Sequence, residues 1–280
     1  MLEIVFLFVL ASAWILFASI QDLRKREVAN WVSFSLAIFA LGFRFFYSLF
    51  YDSAGWGFFI QGVIGLGIFI ILGNVLYYGR MFAGGDAKLM MAFGAVLGFS
   101  ESFFVNLKIY VTFIFLFLLA GALYGLVATL RLSMKNFKAF KKDFIKRLSK
   151  NKISLMIIMA IGVGIIIFGL FESIFVPFGI LVFVFPYLYF YARSVDQTCM
   201  VREVKVSEIS EGEWLAQSVK VGNKTILSKW DGLSLEELRL IRKKYKTIKI
   251  KQGIPFVPVF LIAFLVLIYL WQSGLWNAFW

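Results

Sequence analysis

The residues most able to do chemistry are two aspartates. Asp86 lies in "MFAGGDAKLMMAFGAVLGF" (Met81 to Phe99), where it and Lys88 stand just inside an otherwise apolar run with Gly84 and Gly85 directly before the acid. Asp22 follows the first apolar run, in "FASIQDLRKREVAN". Carboxylates at such depth are rare and usually functional. Two of them close together cannot both ionise cheaply, so the pair is expected to share one proton. That provides an acid and a base from one residue type, the arrangement aspartic proteases use. One carboxylate takes a proton from water, which attacks a peptide carbonyl. The other protonates the carbonyl oxygen and then the leaving nitrogen. The two titrate as a unit, so neither is assigned acid or base.

The surroundings of Asp86 suit such a role. Glycines at 84 and 85 permit close backbone approach or positive φ, and Asp86 falls where a helix N-cap would, near free backbone N–H groups. Gly94 and Gly98 form a small-xxx-small pair for tight helix packing. Lys88 can reach the interface or offset negative charge near the pair. Simpler readings stand beside these: Asp86 as a helix cap, and Asp22 as an (i, i+4) partner of Arg26. Glu27 and Asp196 read as loop charges.

Other chemistries are narrowed by composition. The chain has no histidine, which removes Ser–His and Cys–His catalysis and most zinc sites. Its one cysteine, Cys199, has no partner for an internal disulfide or a CxxC site. Neither a metal nor a cofactor is expected.

These acids must be held by membrane helices. Of 280 residues, 61% are hydrophobic, and apolar runs recur near the roughly twenty residues needed to cross a bilayer. The expected fold is an all-α polytopic membrane protein with about eight transmembrane helices, over residues 3–20, 31–50, 57–78, 86–103, 107–130, 153–171, 174–192 and 255–275. A small cytoplasmic α+β insert precedes the last helix. Two spans separate Asp22 from Asp86, an even number, so both aspartates belong to the same side of the membrane.

Nearly all Lys and Arg lie in alternate connections, "QDLRKREVAN", "YYGRMFAGGDAK", 131–152 and 193–253, while the intervening ones, around Asp52, Glu101 and Glu172, are short and acidic. By the positive-inside rule the basic side is cytoplasmic and both chain ends lie outside. The tryptophans of "WQSGLWNAFW" suit an interfacial belt. The net charge of +13 is thus mostly topological and calls for no nucleic-acid partner. The first basic cluster follows its apolar run, which predicts a retained span, not a signal peptide.

The expected organisation is a membrane domain over 1–130 holding both aspartates, a basic loop over 131–152, a helical pair over 153–192, the insert over 193–253 and a last helix over 254–280. In the basic loop, Phe137, Phe140, Phe144 and Leu148 recur at helical spacing among lysines. That fits an amphipathic helix on an anionic leaflet, or a solvated loop. In the insert, "REVKVSEI", "LAQSVKV", "KTILSKW" and "KTIKIKQG" read as short strands, and Ser234 with Glu237 forms a capping box opening "LEELRLIRKKY".

These motifs resemble the type IV prepilin peptidases, in particular the archaeal prepilin and preflagellin peptidases of the GxGD intramembrane aspartyl proteases. "AGGDAKLMMAFGAVLG" is similar to the family's second aspartate motif and "DLRKREVAN" to its first. Ala83 replaces the first glycine of G-x-G-D, and Ala29 a proline common before the asparagine. "GIPFVPVFLIAF" is similar to a Pro-Phe element of archaeal members.

The resemblance implies Asp22 and Asp86 as the catalytic pair, Gly84, Gly85 and Lys88 as the active-site loop, and Pro255 and Phe256 as substrate contacts. It also implies removal of the short basic leader of pilin-like or archaellin precursors at the cytoplasmic border of the cell membrane. The CxxC-bearing loop of methylating bacterial relatives has no counterpart here, so cleavage without N-methylation is expected. The alternatives from the residues alone are a proton- or cation-coupled transporter using the same aspartates and a non-catalytic scaffold.

Overall fold

A computed structural model describes residues 2–51, 55–222, 224–229 and 232–276. Asp52 of the acidic connections, part of "KTILSKW" and the last four residues of "WQSGLWNAFW" lie outside the described residues. The chain divides into two compact units, Met1–Gly125 with Ile254–Trp280, and Leu126–Gly253.

The first unit is a helical bundle: α1 (Leu2–Lys25), α2 (Asn30–Phe50), α3 (Gly57–Tyr78), α4 (Gly84–Phe93), the first part of α5 (Phe103–Lys135), and α10 (Val257–Gln272). Its core is dominated by aromatic side chains. Phe93 stacks on Phe113 at 5.0 Å between ring centroids, and Phe117 packs on Phe260 at 4.6 Å.

The expected span over 86–103 does not persist as a helix. Helix α4 ends at Phe93 after ten residues, about 15 Å at 1.5 Å per residue and well short of a hydrocarbon core. The chain then tightens through Gly94 N–H to Met91 O, Ala95 N–H to Ala92 O and Val96 N–H to Phe93 O. Residues 94–99 are buried. Irregular backbone at such depth persists only where its polar groups find partners inside the protein.

Arg44 of α2, fully buried, supplies most of those partners. Its Nε donates to Ala95 O at 2.9 Å, and its Nη2 donates to Val96 O at 2.9 Å and Gly98 O at 2.7 Å. Nη1 donates to Phe58 O at 2.9 Å, and the guanidinium lies 4.4 Å over the Phe58 ring. Beyond it, Asn106 donates to Ser100 O and Gln61 Oε1 and accepts from Ser100 N–H. Gly94 and Gly98 therefore do not share one helical face. A methyl on Gly94 would lie 2.3 Å from Gly65 O, so the backbones of α3 and α4 touch there. Gly98 approaches Gln61 backbone instead.

The second unit holds the end of α5, α6 (Phe137–Lys150), α7 (Lys152–Phe168), α8 (Phe175–Thr198) and a strand-containing region. Helices α7 and α8 meet closely at Gly162 and Gly179, where a methyl would lie within 3.0 Å of the facing helix. In the insert β1 (Val201–Lys205) and β2 (Trp214–Leu215) flank β5 (Thr247–Lys251), all antiparallel, with Val201 opposite Lys251 and Leu215 opposite Ile250. β3 (Val219–Val221) and β4 (Lys224–Ile226) form a hairpin. Alternation along β5 turns Ile248 and Ile250 inward and Lys249 outward. They pack with Leu238 and Ile241 of α9 (Leu235–Lys244), which the expected Ser234–Glu237 capping box opens.

Among the described residues five helices, α1, α2, α3, α5 and α8, are long and apolar enough to cross a membrane, or six if the bent α6–α7 pair counts as one, against the eight expected. At its other extreme of length, α5 runs 33 residues and carries helix into the basic stretch after Leu130. α10 is apolar but only 16 residues long. Asp196, expected as a loop charge, sits in the last turns of α8 and pairs with Lys251 Nζ at 2.6 Å.

Candidate active site

Both aspartates lie at helix ends on one side of the first unit, because the two intervening helices, α2 and α3, are each long and apolar enough to reverse the chain across a bilayer. Asp22 occupies the last turn of α1 and is 6% exposed. Its Oδ2 accepts a hydrogen bond from Val257 N–H at 2.9 Å, and its carboxylate also accepts from Phe256 N–H. Those N–H groups are among the orphan donors at the start of α10, where Phe256 is the N-cap and contributes no side-chain cap. Asp22 thus caps a helix that begins 235 residues later. A carboxylate there is also matched to the positive end of the helix dipole.

Asp86 reaches the site from the other direction. Helix α3 closes with Arg80 N–H bonded to Tyr77 O and Met81 N–H to Leu76 O, which is a Schellman ending. Arg80 takes the left-handed position at φ 59. The chain then buries Phe82 and enters α4 at the extended Ala83. Ala83 is the N-cap, so Asp86 is the third helical residue and not the cap that its position suggests. It is partly exposed in the first turn of α4, and the charge of Asp22 reaches it. The two carboxylates are electrostatic neighbours.

The loops that carry them are laid together. Lys88 Nζ donates to Asn30 Oδ1 at 2.8 Å, joining α4 to the start of α2. Gly85 faces Val28, where a Cβ would make ordinary contacts at 3.6 Å or more. Neither Gly84 nor Gly85 takes positive φ, contrary to one of the two uses foreseen for them. Ala29 N–H donates to Gln21 Oε1 at 3.0 Å, fixing the 26–29 turn to α1. Arg26 N–H bonds Asp22 O at 2.8 Å, and the charge of Arg26 acts on the Asp22 carboxylate. Glu27 is exposed in the same turn.

Pro255 is partly exposed just before α10, whereas the Phe256 ring turns into the aromatic core, 5.6 Å from Phe117 and 6.2 Å from Phe82. The backbone of Phe256, with that of Val257, is what meets Asp22. Sequence reasoning missed Arg44, which anchors the far end of α4, and the N–H groups of α10. A buried arginine within an apolar span is a legible signal for the first. Nothing local marks the second. Among the described residues no group of three or more His, Cys, Asp or Glu is placed to hold a metal.

Fold and site together define a multi-pass helical membrane protein with a paired-carboxylate centre at one end of its bundle. Residues 9–129, the segment containing both aspartates, match the type IV leader peptidase family. The resemblance carried by the two motifs therefore holds over this segment. A preflagellin peptidase of Methanocaldococcus jannaschii is 32% identical over 90 residues, which is 32% of this chain and 37% of that protein. The chain thus matches little more than a third of that relative's length. No solved structure matches.

Proposed function

We propose that the protein is a membrane aspartyl endopeptidase that removes the short basic leader of type IV pilin-like or archaellin precursors, with Asp22 and Asp86 as its catalytic pair. The observation that carries this reading is the juxtaposition of two carboxylates from α1 and α4 within the segment that matches the leader peptidase family. One carboxylate accepts a proton from water as the oxygen attacks the scissile carbonyl. The other donates its proton to the carbonyl oxygen. The tetrahedral intermediate collapses when the carboxylic acid protonates the leaving nitrogen and the other carboxylate takes the proton of a gem-diol hydroxyl, breaking the C–N bond, re-forming C=O and leaving one proton on the pair.

The surroundings have parts in this reading. Lys88, through Asn30, holds the two aspartate-bearing loops in register. Gly84 and Gly85 leave the first turn of α4 bare of side chains beside Asp86, where an extended peptide can approach. Pro255 and the Phe256 backbone border the site from α10. The exposed carboxylate of Glu27 offers a local partner for a basic leader. By the positive-inside rule, the site faces the cytoplasm of the cell in which the membrane lies, with the N-terminus outside. There a precursor's leader is in water and its apolar segment begins. Cleavage proceeds without methylation and without a cofactor.

The test is co-expression with a candidate precursor and a gel-mobility readout of leader loss. Asp22→Asn and Asp86→Asn keep shape and remove ionisation. Each should leave the precursor uncut at normal membrane levels of the protein. Processing that survives in both single variants would eliminate the protease and favour a different use of the acids.

A further inference from the structure

We propose that α6 is an interfacial helix that seats on the bilayer through anionic phospholipid headgroups. Helix α6 holds six basic residues and one acid in 14 positions, "FKAFKKDFIKRLSK". Such a segment does not enter hydrocarbon, where each charge is expensive. The apolar α7 follows after Asn151 alone, and the two helices are bent by 77°. At 17 residues, α7 is within the range that spans a bilayer by itself. If α7 runs across the membrane, a bend near a right angle lays α6 along its surface. Asn151 holds the corner by donating from Nδ2 to Arg147 O at 2.9 Å.

Around its axis α6 has three sides. One packs on α8: the Phe140 ring meets Tyr191 edge-on at 5.4 Å, and Arg147 bonds both Asp143 and Gln197. That side consumes the helix's acid. The next side presents Phe137, 56% exposed, and Ile145, 49% exposed, with the exposed Lys141 between them. The third presents Lys138, Lys142, Lys146 and Lys150, all exposed. An apolar strip bordered by unneutralised lysines is complementary to a surface with hydrocarbon beneath negative headgroups. Long lysine stems can follow the strip while their ammonium groups stay at headgroup level. Each basic residue near an anionic surface adds roughly fivefold to the association.

The experiment uses the full chain in phosphatidylcholine vesicles, with or without phosphatidylglycerol. A spin label is placed in turn at Phe137→Cys, Ile145→Cys, Lys142→Cys and Lys146→Cys. The native Cys199 is buried, and the labelled wild type serves as blank. With phosphatidylglycerol present, labels at 137 and 145 should be open to oxygen and protected from a water-soluble nickel complex, and the labels at 142 and 146 should show the reverse. Omitting phosphatidylglycerol, or changing Lys138, Lys142, Lys146 and Lys150 together to Gln, should raise nickel access at 137 and 145 several-fold. Equal nickel access at all four sites would overturn the proposal, as would immersion indifferent to headgroup charge. Gel filtration of each variant checks that the chain is folded.

Discussion

Removing the Arg44 guanidinium should unfasten α4 from the rest of the bundle. Its four hydrogen bonds run to Ala95, Val96, Gly98 and Phe58 carbonyls, three of them in the irregular stretch after α4. In Arg44→Met those oxygens stay buried without a donor. Each orphan costs about 1–3 kcal/mol, but such losses are not additive, and breaking a buried network from one side costs about 3–5 kcal/mol. Reference states inside lipid find substitute partners, so about 3 kcal/mol is expected. For a unit of this size that is a fall of roughly 6–12 °C in melting temperature. Arg44→Lys, a point charge without a planar fork, should lose about half as much. Gly62→Ala offers an independent route, because its methyl would lie 2.4 Å from Arg44 Cδ. Combined with Arg44→Met, it should add less than its separate effect. The assay is thermal loss of the monodisperse gel-filtration peak in detergent. An Arg44→Met protein melting within about 2 °C of wild type would refute the idea that this network sustains the broken segment.

Two other perturbations follow from the same packing and charge. Gly65→Ala should prevent folding or cost about 3 kcal/mol, since its methyl would lie 2.3 Å from Gly94 O and 2.6 Å from the Tyr110 hydroxyl. Gly67→Ala, with nothing within 4 Å, should be neutral or stabilise by up to about 1 kcal/mol; melting curves distinguish them. In the insert, Lys229 and the Ser234 backbone hold the Glu237 carboxyl below its ordinary 4.5. A carboxyl depressed in the folded state stabilises above its unfolded pKa, and loses that stabilisation as pH falls through the folded value. Glu237→Gln should therefore lower the insert's stability by about 1 kcal/mol near neutrality. The difference from wild type should vanish in acid, which hydrogen exchange of the α9 amides, corrected for pH, can follow.

What the sequence made legible, and what it hid, divides along the reach of the interactions. Spans α1, α2 and α3 follow from runs of apolar residues, and the common side of Asp22 and Asp86 follows from counting them. The capping box at Ser234 is local, so three residues suffice to read it. Helix α4 is different. "DAKLMMAFGAVLGF" is apolar enough to pass for a span, and its break after Phe93 depends on Arg44, some fifty positions earlier. A hydropathy window averages that arginine away among phenylalanines. The corner at Asn151 falls where the expected basic stretch 131–152 meets the expected span from 153, so its place was legible and only its 77° angle was not. Asp86 looks like a cap because glycines precede it. Ala83 takes that role through its extended backbone, leaving Asp86 inside the first turn. The grip of α10 on Asp22 joins residues from opposite ends of the chain, and no pattern in either stretch announces it.

The central claim is that Asp22 and Asp86 act as one proton-sharing unit on a peptide bond. Single-turnover leader release by purified wild type, Asp22→Asn, Asp86→Asn and the double variant measures this most directly. A loss of about a thousandfold or more is expected in each single variant and no further loss in the double, because members of one catalytic unit fail together. Wild-type turnover in either single variant, or losses that multiply in the double, would contradict it.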